Sequence, residues 1–79
     1  MSETGKMVLS ALLIVGAQSQ DQAEPIGRLA VRLGVESDAL EKDLMELQTK
    51  GYIVLIERDG SRRVYLTSTG IVTASSTYS

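Results

Sequence analysis

Cysteine and histidine are both absent from this 79-residue chain. Their absence removes disulfides, thiolate nucleophiles, Cys/His zinc sites, histidine general bases and Ser-His-Asp triads. No glycine-rich phosphate loop is present either, and the carboxylates are scattered as surface charge rather than paired, so the chain reads as a non-enzyme with no cofactor and no metal. Aromatic residues make up only 4% of the sequence. Tyr52 and Tyr65 therefore read as sheet-packing residues rather than as platforms for stacked bases. A single proline leaves no Pro-rich linker. The longest apolar run, Met7 to Val15 with Ser10 interrupting it, is far shorter than the roughly 20 residues that cross a bilayer. Lys6 before the run and Val15-Gly16-Ala17 after it would suit a cleaved leader, but Glu3 cancels Lys6 and cleavage would remove a helix that the other elements need. The expectation is a cytoplasmic protein with no membrane partner. An excess of positive charge is also missing. Eight basic residues face ten acidic ones, for a net charge of -2, so any contact with nucleic acid must come from a local patch.

What the chain does have is an ordinary globular composition, 43% apolar and 23% charged, at a length that holds one small domain. Residues 1–5 are small and polar and residues 71–79 are Ser/Thr-rich and uncharged, so they are expected to be a flexible N-terminus and a Ser/Thr-rich C-terminal tail. Between them, residues 6–70 form the expected domain. The first helix should run from about Lys6 to Ala17. It is apolar nearly all round, since Val8, Leu12 and Val15 share one face while Met7, Leu9 and Leu13 cover much of the rest. Such a helix is either wholly buried or offers a second face to a partner, and both readings stay open.

A second helix starts near Glu24-Pro25 with proline at the first helical position, carries Ile26, Leu29, Ala30 and Leu33 at i, i+3, i+4 and i+7, and stops at Gly34. Ser37 or Asp38 then caps a third helix, with Glu41 placed to complete a capping box from Asp38. Leu40, Leu44 and Leu47 form the buried stripe of this helix, and Lys50-Gly51 ends it. The tight Leu33-Gly34-Val35 connection between two short helices is a helix-turn-helix signature. Beyond Gly51 the apolar period changes from 3.6 to 2, over Tyr52 to Glu57 and Arg62 to Thr67. Asp59-Gly60 between them is a preferred two-residue type I′ turn. That turn sets Ile53 against Leu66 and Leu55 against Val64 on a core face, with Val54 against Tyr65 and Ile56 against Arg63 on the other.

Three helices followed by a hairpin resemble the winged-helix, or winged helix-turn-helix, family. Ile26-Gly-Arg-Leu29-Ala30-Val-Arg-Leu33-Gly34-Val35 resembles its helix-and-turn segment. Leu44-Met-Glu-Leu47-Gln-Thr-Lys50-Gly51-Tyr52-Ile53 resembles the end of its recognition helix running into the wing, and Tyr65-Leu66-Thr67-Ser-Thr-Gly70 is similar to the wing exit of MarR-like and ArsR-like regulators. The resemblance covers about residues 7 to 70 and implies an α+β fold: a three-helix core and a two-stranded β-hairpin wing. It is more specific for fold than for function.

By that resemblance the chain is a small DNA-binding transcriptional regulator, with residues 36–50 in the major groove of double-stranded DNA and the wing, residues 57–63, on backbone or minor groove. Ser37, Asp38, Glu41, Lys42 and Met45 would then meet bases. Arg58, Arg62 and Arg63 would grip phosphate or enter a minor groove, and Arg28 and Arg32 would reach phosphate from the second helix. Each group also has a plainer reading: solvated arginines on a helix face or hairpin, and acids that complement a helix dipole, the favoured role for Asp38. The sequence departs from the family pattern in one respect. Residues 36–50 carry five acids against Lys42 and Lys50, and a groove flanked by phosphates repels such a helix. A contrary role for Glu41, accepting from a cytosine amino group, is the minority reading. The alternative function is a protein-interaction module that does not bind DNA. Its partner face, or the face of a homodimer through the first helix, would be Leu9, Leu13, Val54, Ile56 and Tyr65, because residues 71–79 read as too short and too Ser/Thr-rich for a long dimerisation helix.

Overall fold

The structure, a computed structural model, describes residues 2–78 and the side chains of residues 2–76. The elements run α1 (Glu3–Val15), a 3-10 turn (Gln20–Gln22), β1 (Glu24–Pro25), α2 (Ile26–Leu33), α3 (Ser37–Thr49), β2 (Ile53–Arg58), β3 (Ser61–Leu66) and α4 (Ser68–Tyr78).

All of the first three helices end for the same local reason. Gly16, Gly34 and Gly51 take positive φ just beyond the last turn, and the next amide in each case reaches back five residues: Ala17 N–H to Leu12 O at 2.9 Å, Val35 N–H to Ala30 O at 3.1 Å, and Tyr52 N–H to Leu47 O at 3.1 Å. These are the 6→1 bonds that satisfy the last carbonyls of a helix. Helix starts differ from the sequence reading. The first helix begins at Glu3 rather than Lys6, because the Ser2 hydroxyl caps it by accepting from Gly5 N–H. Pro25 is not the first helical residue but the residue before it, in extended conformation. Neither Ser37 nor Asp38 caps α3. Glu36 takes the cap position without a side-chain hydrogen bond, which places Asp38 in the first turn, where its charge complements the dipole, and leaves no capping box.

The hairpin follows its turn. Asp59 and Gly60 both have positive φ, 53° and 76°, as a type I′ turn requires. Ile53 pairs with Leu66, Val54 with Tyr65, Leu55 with Val64 and Ile56 with Arg63, the register expected from the sequence. The sheet is nevertheless three-stranded, in the order β1-β3-β2. Glu24 and Pro25 pair with Val64 and Arg63, so the segment ahead of α2 covers the free edge of β3 and shields it from other chains.

One core joins the layers. Val8, Leu9 and Leu12 of α1, Leu29 of α2, Leu40 and Leu44 of α3, Ile53 of β2 and Val64 and Leu66 of β3 are all fully or almost fully buried. Residues 71–78, read from sequence as a tail, instead continue α4, which lies along α1. Thr67 caps this helix: its hydroxyl accepts from Gly70 N–H at 3.0 Å and donates to Gly51 O at 2.6 Å. Ala74 is fully buried and Ile71 packs against the core. Tertiary contact thus overrides the modest helix propensity of a Ser/Thr-rich segment.

Candidate nucleic-acid interface

Helix α3 turns Leu40, Leu44 and Leu47 into the core, so by the 100° step of the helix Asp38, Lys42, Met45 and Thr49 point the opposite way. All four are exposed, Met45 to 61%. Ser37 is exposed at the start of the same helix. The flank between these two faces carries Glu41 and Gln48, seven residues apart, and it meets the hairpin. Gln48 Oε1 accepts from Leu55 N–H at 2.7 Å, and the Glu41 carboxylate accepts from the Arg62 guanidinium in a direct ion pair. The wing is therefore tied to α3 near its base and near its tip.

The wing arginines divide by face. Arg62 shares the core-side face of the hairpin with Leu55, Glu57 and Val64, whereas Arg58 and Arg63 lie on the outer face with Val54, Ile56 and Tyr65. Each has an intramolecular partner. Arg58 lies 3.6 Å from Asp21 of the 3-10 turn, and Arg63 donates from Nη1 to Ala23 O at 3.5 Å while its buried Nε has no partner. Glu24, only 7% exposed, faces the core side opposite Val64 and also leaves one carboxylate oxygen without a partner. On α3, Glu46 pairs with Lys50 at 3.3 Å. No such ion pair holds Arg28, Arg32 or Lys42 among the described residues, and all three are exposed.

The structure thus brings Glu41 and Arg62 together and leaves Ser37, Asp38, Lys42 and Met45 on an open helix face. It places Arg32 elsewhere, in a shallow groove between α1 and the end of α2 that is lined by Lys6, Met7, Ser10, Ile14 and Leu33. The partner face expected from sequence needs correction. Leu9 is fully buried in the core and Leu13 is half-buried, because the stripe Val8, Leu9 and Leu12 faces inward and carries Leu9 with it. The exposed apolar residues of α1 are Met7 and Ile14, the latter 62% exposed. Val54, Ile56 and Tyr65 are half-buried on the outer sheet face. Sequence reasoning missed every long-range pair here: Asp21 with Arg58, Ala23 with Arg63, Glu41 with Arg62. No helix among the described residues is long and apolar enough to cross a membrane, and no group of three or more acidic, Cys or His residues among them could hold a metal ion.

No family model matches the sequence, and no curated protein matches it. Solved structures do. A MarR-family transcriptional regulator from Silicibacter pomeroyi is 32% identical over 96% of this chain and 49% of its own, with a TM-score of 0.76. The S. aureus MepR-DNA complex superposes at 0.82, with 18% identity over 96% of this chain and 60% of its own. A small protein from Ralstonia eutropha JMP134 matches end to end, covering 100% of this chain and 99% of its own at 22% identity and a TM-score of 0.84. The chain spans about half the length of the MarR-family regulator it matches. It has the α+β winged-helix fold, with four α-helices and a three-stranded sheet among the described residues, and two of its structural neighbours are MarR-family transcriptional regulators.

Proposed function

We propose that this chain is a small cytoplasmic DNA-binding protein acting as a transcriptional regulator, with α3 in the major groove and the hairpin tip on the sugar-phosphate backbone or in the minor groove. The observation that supports this reading is the open face of α3, where Asp38, Lys42 and Met45 are exposed opposite a buried leucine stripe and beside a hairpin that bears three arginines, with Ser37 exposed at the start of the helix. Acid on the helix is partly neutralised from within, because Glu41 faces Arg62 and Glu46 faces Lys50. Lys42, Arg28 and Arg58 are the side chains offered to phosphate, while the Arg62 guanidinium is held by Glu41. Arg32 joins them only if the duplex reaches the α1 groove, and Arg63 acts mainly by holding the β1 edge. Met45 and Asp38 meet base edges, and a second chain or a second binding module supplies the rest of the affinity expected of a specific complex.

The test is fluorescence anisotropy with a labelled mixed-sequence duplex over a salt series. With about three to five phosphates neutralised per subunit, log affinity falls with log salt at a slope near -3 to -4. Lys42→Gln lowers affinity and flattens the slope by about one. Binding that ignores salt, or none at low salt, removes the proposal.

A second reading, contact with a protein partner or a second copy through α1, is favoured by Met7 and Ile14, which stand exposed beside the groove with Lys6 and Arg32. Sedimentation of the wild type against Met7→Lys with Ile14→Lys tests self-association, and equal sedimentation excludes a second copy there.

A further inference from the structure

Arg62 lies at the end of β3 nearest the turn, where a duplex against α3 and the wing would approach it. Its guanidinium is nevertheless held by Glu41 of α3. The pair is half in solvent, with Arg62 51% and Glu41 32% exposed, so it adds little to folding. The wing also has a separate attachment at its base, the Gln48–Leu55 hydrogen bond. The ion pair is therefore dispensable for holding the hairpin. Its consequence is electrostatic. A phosphate that recruits Arg62 must displace a carboxylate, and that carboxylate remains beside the phosphate and repels it. Glu57, opposite Arg62 across the hairpin, adds a second acid to the same spot.

We propose that Glu41 is a positioning residue that masks Arg62, so that the wing neutralises one phosphate fewer than its arginines allow and the affinity for non-cognate DNA is held down. This inference rests on the DNA-binding reading. It reverses the ordinary expectation for a residue of a recognition helix, because removing the Glu41 charge should strengthen binding.

The experiment compares wild type, Glu41→Gln, Arg62→Gln and the double variant by anisotropy against the same mixed-sequence duplex from low to moderate salt. One further phosphate contact steepens the salt slope by about 0.9 and strengthens binding by about eightfold near 0.1 M salt. Glu41→Gln should show both effects. The double variant should keep the slope of Arg62→Gln, since without the guanidinium no extra counterion is released. Glu41→Asp, which keeps the charge, should behave as wild type. If wild type binds with normal salt dependence but Glu41→Gln binds no more tightly, or does so with an unchanged slope, masking is wrong while DNA binding stands. If no variant binds at low salt, the DNA-binding reading falls and masking falls with it. A Glu41→Gln chain whose amide spectrum shows it unfolded would mark the pair as structural and overturn masking as well.

Discussion

Replacing Gly70 by alanine tests whether α4 is seated as described. Gly70 is the third residue of α4, and a Cβ built there falls 1.9 Å from the Tyr52 carbonyl oxygen, 2.9 Å from its carbon and 3.2 Å from Leu66 Cδ2. Ordinary contact begins near 3.4 Å, so α4 must withdraw from the start of β2 by about 1.5 Å, too far for side-chain adjustment because the obstacle is backbone. The same Tyr52 oxygen accepts from Thr67 N–H at 3.0 Å, and the Thr67 hydroxyl bridges Gly51 O and Gly70 N–H. Withdrawal strains all three bonds. Alanine gains about 1 kcal/mol of helix propensity over glycine. Against this stand overpacking at about 1–3 kcal/mol and a weakened hydrogen-bond set at about 1 kcal/mol. The balance is a loss of about 2 kcal/mol. In a domain of this size that lowers Tm by about 8–16 °C. Urea denaturation followed by circular dichroism measures it, with Ser76→Ala, an exposed position in the same helix, as the propensity control. A Gly70→Ala chain as stable as wild type, or more stable, would refute the placement of α4 against the Tyr52 carbonyl.

Thr67→Val removes both the α4 cap and the bond to Gly51 O, and should cost about 1–2 kcal/mol by urea denaturation; a change below about 0.3 kcal/mol would mean that the hydroxyl does not cap. Asp59 holds φ 53° in the hairpin turn, so Asp59→Val, β-branched in left-handed geometry, should cost about 1–2 kcal/mol, while Asp59→Gly should leave stability near wild type. Equal stabilities for the two variants would contradict the type I′ turn.

The hairpin was legible because its information is local. Asp59-Gly60 fixes a two-residue turn, the turn fixes which residues face each other, and alternation of Ile53, Leu55, Val64 and Leu66 chooses the buried side. Gly34 and Gly51 likewise end their helices where their sequence neighbours imply. What was not legible depends on distant partners. Two residues of β1 carry no period, so their pairing with β3 leaves no sequence signal. The Ser/Thr-rich run after Thr67 becomes helix only because Gly70 allows close approach and Ala74 and Ile71 find α1 and the core. In α1, apolar residues all round the helix hide which face is inward, so Leu9 reads from sequence as a partner-facing residue although it is buried in the core. On the candidate interface, exposure of Asp38, Lys42 and Met45 follows from the leucine stripe opposite them, and that of Ser37 from its place at the helix start. The pairing of Glu41 with Arg62, 21 residues away, did not, since charge patterns along a sequence do not say which acids and bases meet.

The most direct test of the central claim is an amide NMR titration of the isotopically labelled chain with mixed-sequence duplex DNA at about 50 mM and then 200 mM salt, a range over which phosphate contacts weaken strongly. Shifts centred on residues 37–45 and 58–63 that fade at the higher salt are the predicted result. Spectra unmoved at low salt, or shifts centred on Met7, Ile14 and Arg32 instead, would contradict a DNA-facing α3 and wing.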